Sequence, residues 1–162
     1  MAKRVANLLG FAACAALMAY ALYAEHGLNL DPCPLCIFQR LAVMALGLVF
    51  LIAALHDAGR IGSRIYATLL VLTAAAGVAV AWRHLWIQSL PADKVPACGA
   101  PLEQLIQVLP LRNVIETVLR GDGECAKINW TFLGLAMPAW VLIACAALAA
   151  WGLFFNLRAA RR

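Results

Sequence analysis

The chain has 162 residues, of which 65% are hydrophobic and 13% charged, with a formal net charge of +5 and a mean hydropathy of +0.85. A soluble domain carries about 25% charged residues, so this composition excludes one, and several membrane spans in 162 residues leave no room for a separate soluble domain. The basic excess then reads as a topology signal and not as a nucleic-acid footprint.

In chain order, Lys3 and Arg4 precede a charge-free stretch over 5–24. Three more stretches, 41–56, 65–82 and 128–157, also lack Asp, Glu, Lys and Arg. Each supplies most of the roughly 20 residues that cross a hydrocarbon core. The pattern predicts an all-α membrane protein, a single-domain four-helix transmembrane bundle with helices near 6–25, 36–55, 65–87 and 133–155. The first helix mimics a signal peptide, with Ala19-Tyr20-Ala21 after an apolar run. Cleavage would place the basic C-terminus on the side opposite the other basic segments, so an uncleaved anchor is expected.

Arg60 and Arg64 lie in the 56–64 link, and Arg158, Arg161 and Arg162 follow the last helix. With Lys3 and Arg4 these segments share one side, which the excess of Lys and Arg marks as cytoplasmic, together with both termini. The loops 26–35 and 88–132 then face outward. Within the second loop, Leu102, Leu105, Ile106 and Leu109 fall at helical spacing, as do Ile115, Val118 and Leu119. They predict short amphipathic helices lying on the membrane surface.

The cysteines sort by depth. Cys14 and Cys145 fall inside the first and fourth helices and read as small apolar packing residues. Cys33, Cys36, Cys98 and Cys125 fall on the outward side. Cys33-Pro34-Leu35-Cys36 stands on the seam between water and membrane, where such a pair can meet both a protein partner and a lipid-soluble redox partner. A C-x-x-C pair is a reversible two-electron couple or half of a metal site. Structural zinc and iron sites favour a second C-x-x-C or added histidines. Here the second pair is split, so no metal is expected, and c-type haem is excluded by Ile37 in place of His. Cys98 and Cys125 form the second pair. As a plain staple it would stabilise the loop by about 3–4 kcal/mol. The prolines and glycine around Cys98 keep it extended and open to attack by another thiolate.

Arg40 follows Cys36 by four residues and shares its helical face. A helix N-terminus and a fixed cation one turn deeper favour a thiolate at Cys36 and an anionic acceptor beside it. The bland alternative is an arginine snorkelling to the headgroups. At the outer end of the third helix, His84 and Gln88 reach the same level, where they can bond a carbonyl oxygen of a bound ring and His84 can relay protons. The alternative is a polar belt with Arg83, Trp82 and Trp86.

These features resemble the bacterial disulfide-bond-formation protein B (DsbB) family. The resemblance covers nearly the whole chain: four spans, residues 33–40 (CPLCIFQR), the split pair Cys98 and Cys125, and the stretch from Trp130 to Pro138. It implies a quinone-dependent protein-disulfide oxidoreductase of the bacterial inner membrane, with Cys33, Cys36, Cys98 and Cys125 catalytic and Arg40, His84 and Gln88 at the quinone. The implied partner is a periplasmic DsbA-like thioredoxin-fold oxidase, and the implied cofactor is ubiquinone, with menaquinone as the alternative. The resemblance further implies that the partner attacks Cys98, that Cys125 then exchanges with the Cys33–Cys36 bridge, and that Cys36 is left facing quinone. Two other readings are an enzyme of the vitamin K epoxide reductase type, whose active pair sits on a late helix, and a non-enzymatic four-span protein with structural disulfides.

Overall fold

The computed structural model describes residues 3–95, 102–121 and 123–160. Cys98, Arg161 and Arg162 lie outside the described residues.

Four long helices form the body: α1 (Lys3–Leu28), α2 (Pro34–His56), α3 (Arg60–Gln88) and, after the outer segments, α7 (Met137–Ala160). Each is long and apolar enough to cross a membrane. Between α3 and α7 come a single 3-10 turn (Ala92–Lys94), α4 (Leu102–Val108), α5 (Leu111–Arg120), α6 (Gly123–Ala126) and a hairpin of β1 (Thr131–Phe132) and β2 (Leu135–Ala136). α1 packs along α2, α2 along α3, α3 along α7, and α7 returns to α1, which closes the bundle. Large apolar side chains also face outward, such as Leu72 at 61% exposure. That is expected of helices surrounded by lipid and not by water.

Small residues set the helix spacing. A Cβ on Gly77 would sit 2.9 Å from Cys145 Sγ, and one on Gly47 would sit 3.0 Å from Cys14 Cβ. Cys14 and Cys145 are therefore packing atoms against glycines on neighbouring helices, beside Leu46, Phe50 and Leu70. Close approach over small residues is the usual source of helix adhesion in membranes.

The basic end is tied by polar contacts. Lys3 Nζ pairs with Asp57 Oδ1 at 3.1 Å and donates to Ser63 Oγ at 3.2 Å and to the Ala58 carbonyl. One helical turn deeper, Asn156 Nδ2 donates to Asn7 Oδ1 at 2.9 Å and Asn7 Nδ2 donates back to Asn156 Oδ1 at 3.3 Å. Asn156→Leu leaves the buried Asn7 amide unpaired and is expected to cost on the order of 1 kcal/mol. Thermal unfolding in detergent should show the loss, and Asn7→Leu/Asn156→Leu should recover part of it.

The helix edges differ from the sequence expectation for local reasons. The third helix begins at Arg60 and not near 65, directly after the extended Gly59. The fourth begins at Met137 and not near 133, because 131–136 is a β-hairpin turning through Leu133 (φ 50°) and Gly134 (φ 78°). Two positive φ values in a two-residue turn match the right-handed twist of the strands. The expected surface helices exist as α4 and α5, but α5 turns a different face inward. Val114 and Val118 are buried against Leu35, Ile87 and Cys125, while Ile115 and Leu119 stay 39% and 38% exposed. The apolar stripe of α5 thus rests on the outer end of the bundle.

Candidate active site

Cys33 sits at the N-cap of α2 with extended backbone (φ −68°, ψ 163°), and Pro34 opens the helix. Proline suits that position because its missing N–H is one the helix cannot satisfy internally. The Cys36 backbone N–H donates to Cys33 Sγ at 3.3 Å, and the two sulfurs are 3.0 Å apart as thiols. A bridge between them needs a movement of only about 1 Å.

The third sulfur arrives from the outer segments. Gly121 (φ 82°) ends α5, and a Cβ there would lie 2.2 Å from Ile87 Cδ1. Only glycine lets the chain turn this closely over α3 and drop into α6. Cys125 is carried on α6, fully buried in the cluster of Leu35, Ile87, Val114 and Val118. It occupies a single helical turn packed onto the bundle. Arg83 secures this arrangement. Its guanidinium donates to the carbonyls of Leu119 at 2.9 Å and Arg120 at 3.1 Å, capping α5, and lies 4.2 Å from the Trp86 ring centroid.

Cys33 is the middle sulfur. Hydrogen bonds to Cys125 and to Cys36, with burial, push its thiol pKa up. His84, 2% exposed on α3, completes the cluster. Its Nε2 donates to the Cys125 carbonyl at 3.0 Å and lies 3.8 Å from Cys33 Sγ. The sulfurs of Cys33 and Cys36 and the nearest His84 nitrogen all lie within 4.8 Å of one another.

A cavity of about 860 Å³ opens beside these sulfurs. Leu17, Val43, Phe132, Met137, Trp140 and Val141 supply much of its apolar wall, and Cys36, Gln39, Arg40, His84, Gln88 and Glu25 are among its polar groups. The hairpin forms part of its rim, held by Trp140 Nε1 donating to the Phe132 carbonyl at 3.1 Å and by Trp130 packed edge-on to Tyr20. Gln88 Oε1 is buried without a hydrogen-bond partner among the described residues. Its Nε2 is 3.4 Å from His84 Nε2. In either amide orientation, one end of that carboxamide remains available to a ligand.

Arg40 has partners that helical spacing does not reveal. It lines the cavity with Cys36, but its guanidinium pairs with Glu25 of α1 and donates to the Ala21 carbonyl at 3.1 Å. The cluster therefore brings together Cys33, Cys36, Cys125 and His84, with Gln88 and Arg40 on the cavity wall and Cys98 outside the described residues. Two residues escaped the sequence reading. Gln39 is 4% exposed and lies 2.9 Å from His84 Nδ1. Glu25 holds Arg40. The available signals were a lone amide inside an apolar run and an acid at a helix end level with an arginine.

The family model for disulfide bond formation protein DsbB matches residues 3–155. Relatives named disulfide bond formation protein B include one from Marinobacter nauticus, 49% identical over 93% of this chain and 89% of that one. Another, from Chromobacterium violaceum, is 46% identical over 95% of each chain. A third, from Xanthomonas euvesicatoria, is 45% identical over 98% of this chain and 92% of its own. A four-helix body with Cys33, Cys36 and Cys125 gathered at one end, matched along nearly its full length, places this chain in the disulfide bond formation protein DsbB family.

Proposed function

We propose that this chain is a quinone-dependent protein-disulfide oxidoreductase of the bacterial inner membrane. It reoxidises a periplasmic DsbA-like thioredoxin-fold dithiol oxidase and passes the electrons to membrane quinone, ubiquinone before menaquinone. The cysteine end faces the periplasm, and Lys3, Arg60 and Arg158 mark the cytoplasmic end. The observation that carries this reading is the series of sulfurs, Cys125 beside Cys33 and Cys33 beside Cys36, ending at an apolar cavity.

Each residue has a defined task. The partner's thiolate attacks Cys98 of a Cys98–Cys125 bridge, and Cys125 leaves as a thiolate. Cys125 then bonds to Cys33 as the Cys33–Cys36 bond breaks, and the electron pair stays on Cys36. Cys33 and Cys36 both line the cavity, and Cys36 is the sulfur on which the electron pair is left. A DsbA-type donor has a potential near −120 mV, too oxidising for glutathione-type couples to drain. When bound, quinone supplies a two-electron, two-proton acceptor of sufficient potential. The cavity fits such a ring: its walls are apolar, and Gln88 and Arg40 offer polar groups at its edge.

Arg40→Met is expected to raise the apparent KM for quinone by about ten- to a hundredfold, the equivalent of about 1–3 kcal/mol for a charged hydrogen bond. The mixed disulfide with the partner should still form. Arg40→Lys should be milder, since a point charge replaces a planar fork. Rates titrated against quinone concentration check both.

The reading as a whole is tested with the full chain in lipid nanodiscs, mixed anaerobically with a reduced thioredoxin-fold dithiol protein. Dithiol loss should require added ubiquinone and match quinol formed. Equal rates without quinone would overturn it. The vitamin K epoxide reductase reading is not favoured, since the membrane pair opens the second helix and the family match runs along the whole chain.

A further inference from the structure

We propose that Gln39 is a positioning residue that holds His84 in its Nε2–H tautomer, so that the imidazole N–H faces the sulfurs through which charge passes. The inference rests on the oxidoreductase reading above and assigns a task to a residue that makes no contact with a substrate in that reading.

Gln39 lies in the apolar α2 helix at 4% exposure, and His84 lies in α3 at 2%. Burying a carboxamide is costly unless it is bonded. Among the described residues its hydrogen-bond partner is His84, with Gln39 Nε2 2.9 Å from His84 Nδ1. The protonation of the ring follows from its other side. His84 Nε2 is 3.0 Å from the Cys125 carbonyl oxygen, which can only accept, so Nε2 carries a hydrogen. In the neutral ring Nδ1 is then bare and needs a donor. The Gln39 amide N–H is that donor. Two hydrogen bonds from different elements thus select the same tautomer, the usual way a ring nitrogen's role is set.

The Nε2–H so fixed lies among the sulfurs. Cys33 Sγ is 3.8 Å away, and the Cys33 and Cys36 sulfurs and the nearest ring nitrogen lie within 4.8 Å of one another. In the exchange step Cys125 Sγ bonds to Cys33 Sγ, the Cys33–Cys36 bond breaks, and the electron pair moves to Cys36 Sγ. No proton is gained or lost, so a negative charge moves from Cys125 to Cys36. That N–H donates to the Cys125 carbonyl at 3.0 Å, and its dipole, fixed beside the sulfurs, favours the arriving charge without rearrangement. Arg40, by comparison, is held by Glu25 and the Ala21 carbonyl on the α1 side.

The groups around His84 can be named by element. α2 presents Cys33, Cys36 and Gln39, and α6 presents Cys125. On α3 itself, Gln88 is beside the ring and Arg83 points to the carbonyls of α5. Across the cavity stand Tyr20, Glu25, Asp31, Arg40, Glu124 and Lys127, while the α7 residues that line it, Met137, Pro138, Trp140 and Val141, carry no titratable group. A carboxamide suits position 39 because it serves both states of the ring. Rotated by half a turn, its oxygen accepts from Nδ1–H if His84 gains a second proton. Leu could do neither, and Glu would favour the doubly protonated ring.

The test uses the full chain in nanodiscs with nitrogen-15-labelled histidine, His84 being assigned by its loss in His84→Asn. The parent's ring resonances should report Nε2–H, and Gln39→Leu should give mixed tautomers. In parallel, alkylation of Cys36 in the reduced chain is followed against pH by peptide mass mapping. Gln39→Leu should raise its midpoint by about one pH unit, a tenfold loss of thiolate at a given pH. Gln39→Glu should not raise it. A parent ring protonated at Nδ1 overturns the proposal even if Gln39→Leu does not fold. Unchanged tautomer and alkylation in a folded Gln39→Leu protein also overturn it. If these readouts respond but the parent lacks quinone-dependent turnover, the oxidoreductase reading falls and the role of Gln39 stands.

Discussion

Cys36→Ser is expected to reduce electron transfer to quinone to background while leaving the helices folded. The residue occupies the first turn of α2, where its sulfur touches Cys33 and lines the cavity. Serine keeps nearly the same volume, so the apolar cluster beneath it is undisturbed. The chemistry is lost because a hydroxyl can neither form the bridge to Cys33 nor carry the electron pair released when that bridge opens. Quinol formation under anaerobic conditions measures the effect, and circular dichroism checks the helices. Turnover at the parent rate would remove Cys36 from the reaction.

Cys125→Ser is expected to stop turnover at an earlier point and to do so visibly. Without Cys125, Cys98 has no partner within the chain, so a disulfide with the thioredoxin-fold donor accumulates as a band on a non-reducing gel. Cys98→Ser should prevent that band. The buried seat of Cys125 among Leu35, Ile87, Val114 and Val118 sharpens the expectation. A buried sulfur beside Cys33 suits transfer within the chain, whereas attack by a bulky protein needs an accessible one. Unchanged donor oxidation in both variants would reduce this pair to a staple of the outer loop.

The membrane architecture was legible in the sequence because the absence of charge over four stretches is a property of composition and needs no knowledge of packing. The helix edges were less so. Arg60 begins α3 although it is charged, since an arginine at a helix end can reach water, and the hairpin at 131–136 reads as apolar sequence continuous with α7. The choice of Val114 and Val118 as the inward face of α5 depends on Ile87 and Leu35, which no local pattern contains. Within the site, Cys33, Cys36, Cys125 and His84 stand out by residue type, and the fold draws them together. Gln39 and Glu25 do not, because their partners His84 and Arg40 lie 45 and 15 residues away in the chain. The expectation that Arg40 shares a face with Cys36 came from helical spacing, which says nothing of its partners. Spacing fixes the face of a helix, but a long side chain chooses its partner from the neighbouring helix, here Glu25 and the Ala21 carbonyl.

The order of the sulfurs, Cys125 to Cys33 to Cys36, is open to a single trapping measurement. The oxidised chain in quinone-free nanodiscs is mixed with one equivalent of reduced dithiol donor, quenched with acid, alkylated and mapped by mass spectrometry. A Cys33–Cys125 bond with Cys36 alkylated is the expected species. A Cys36–Cys125 bond, or a Cys33–Cys36 bridge left intact beside reduced Cys98 and Cys125, would contradict it.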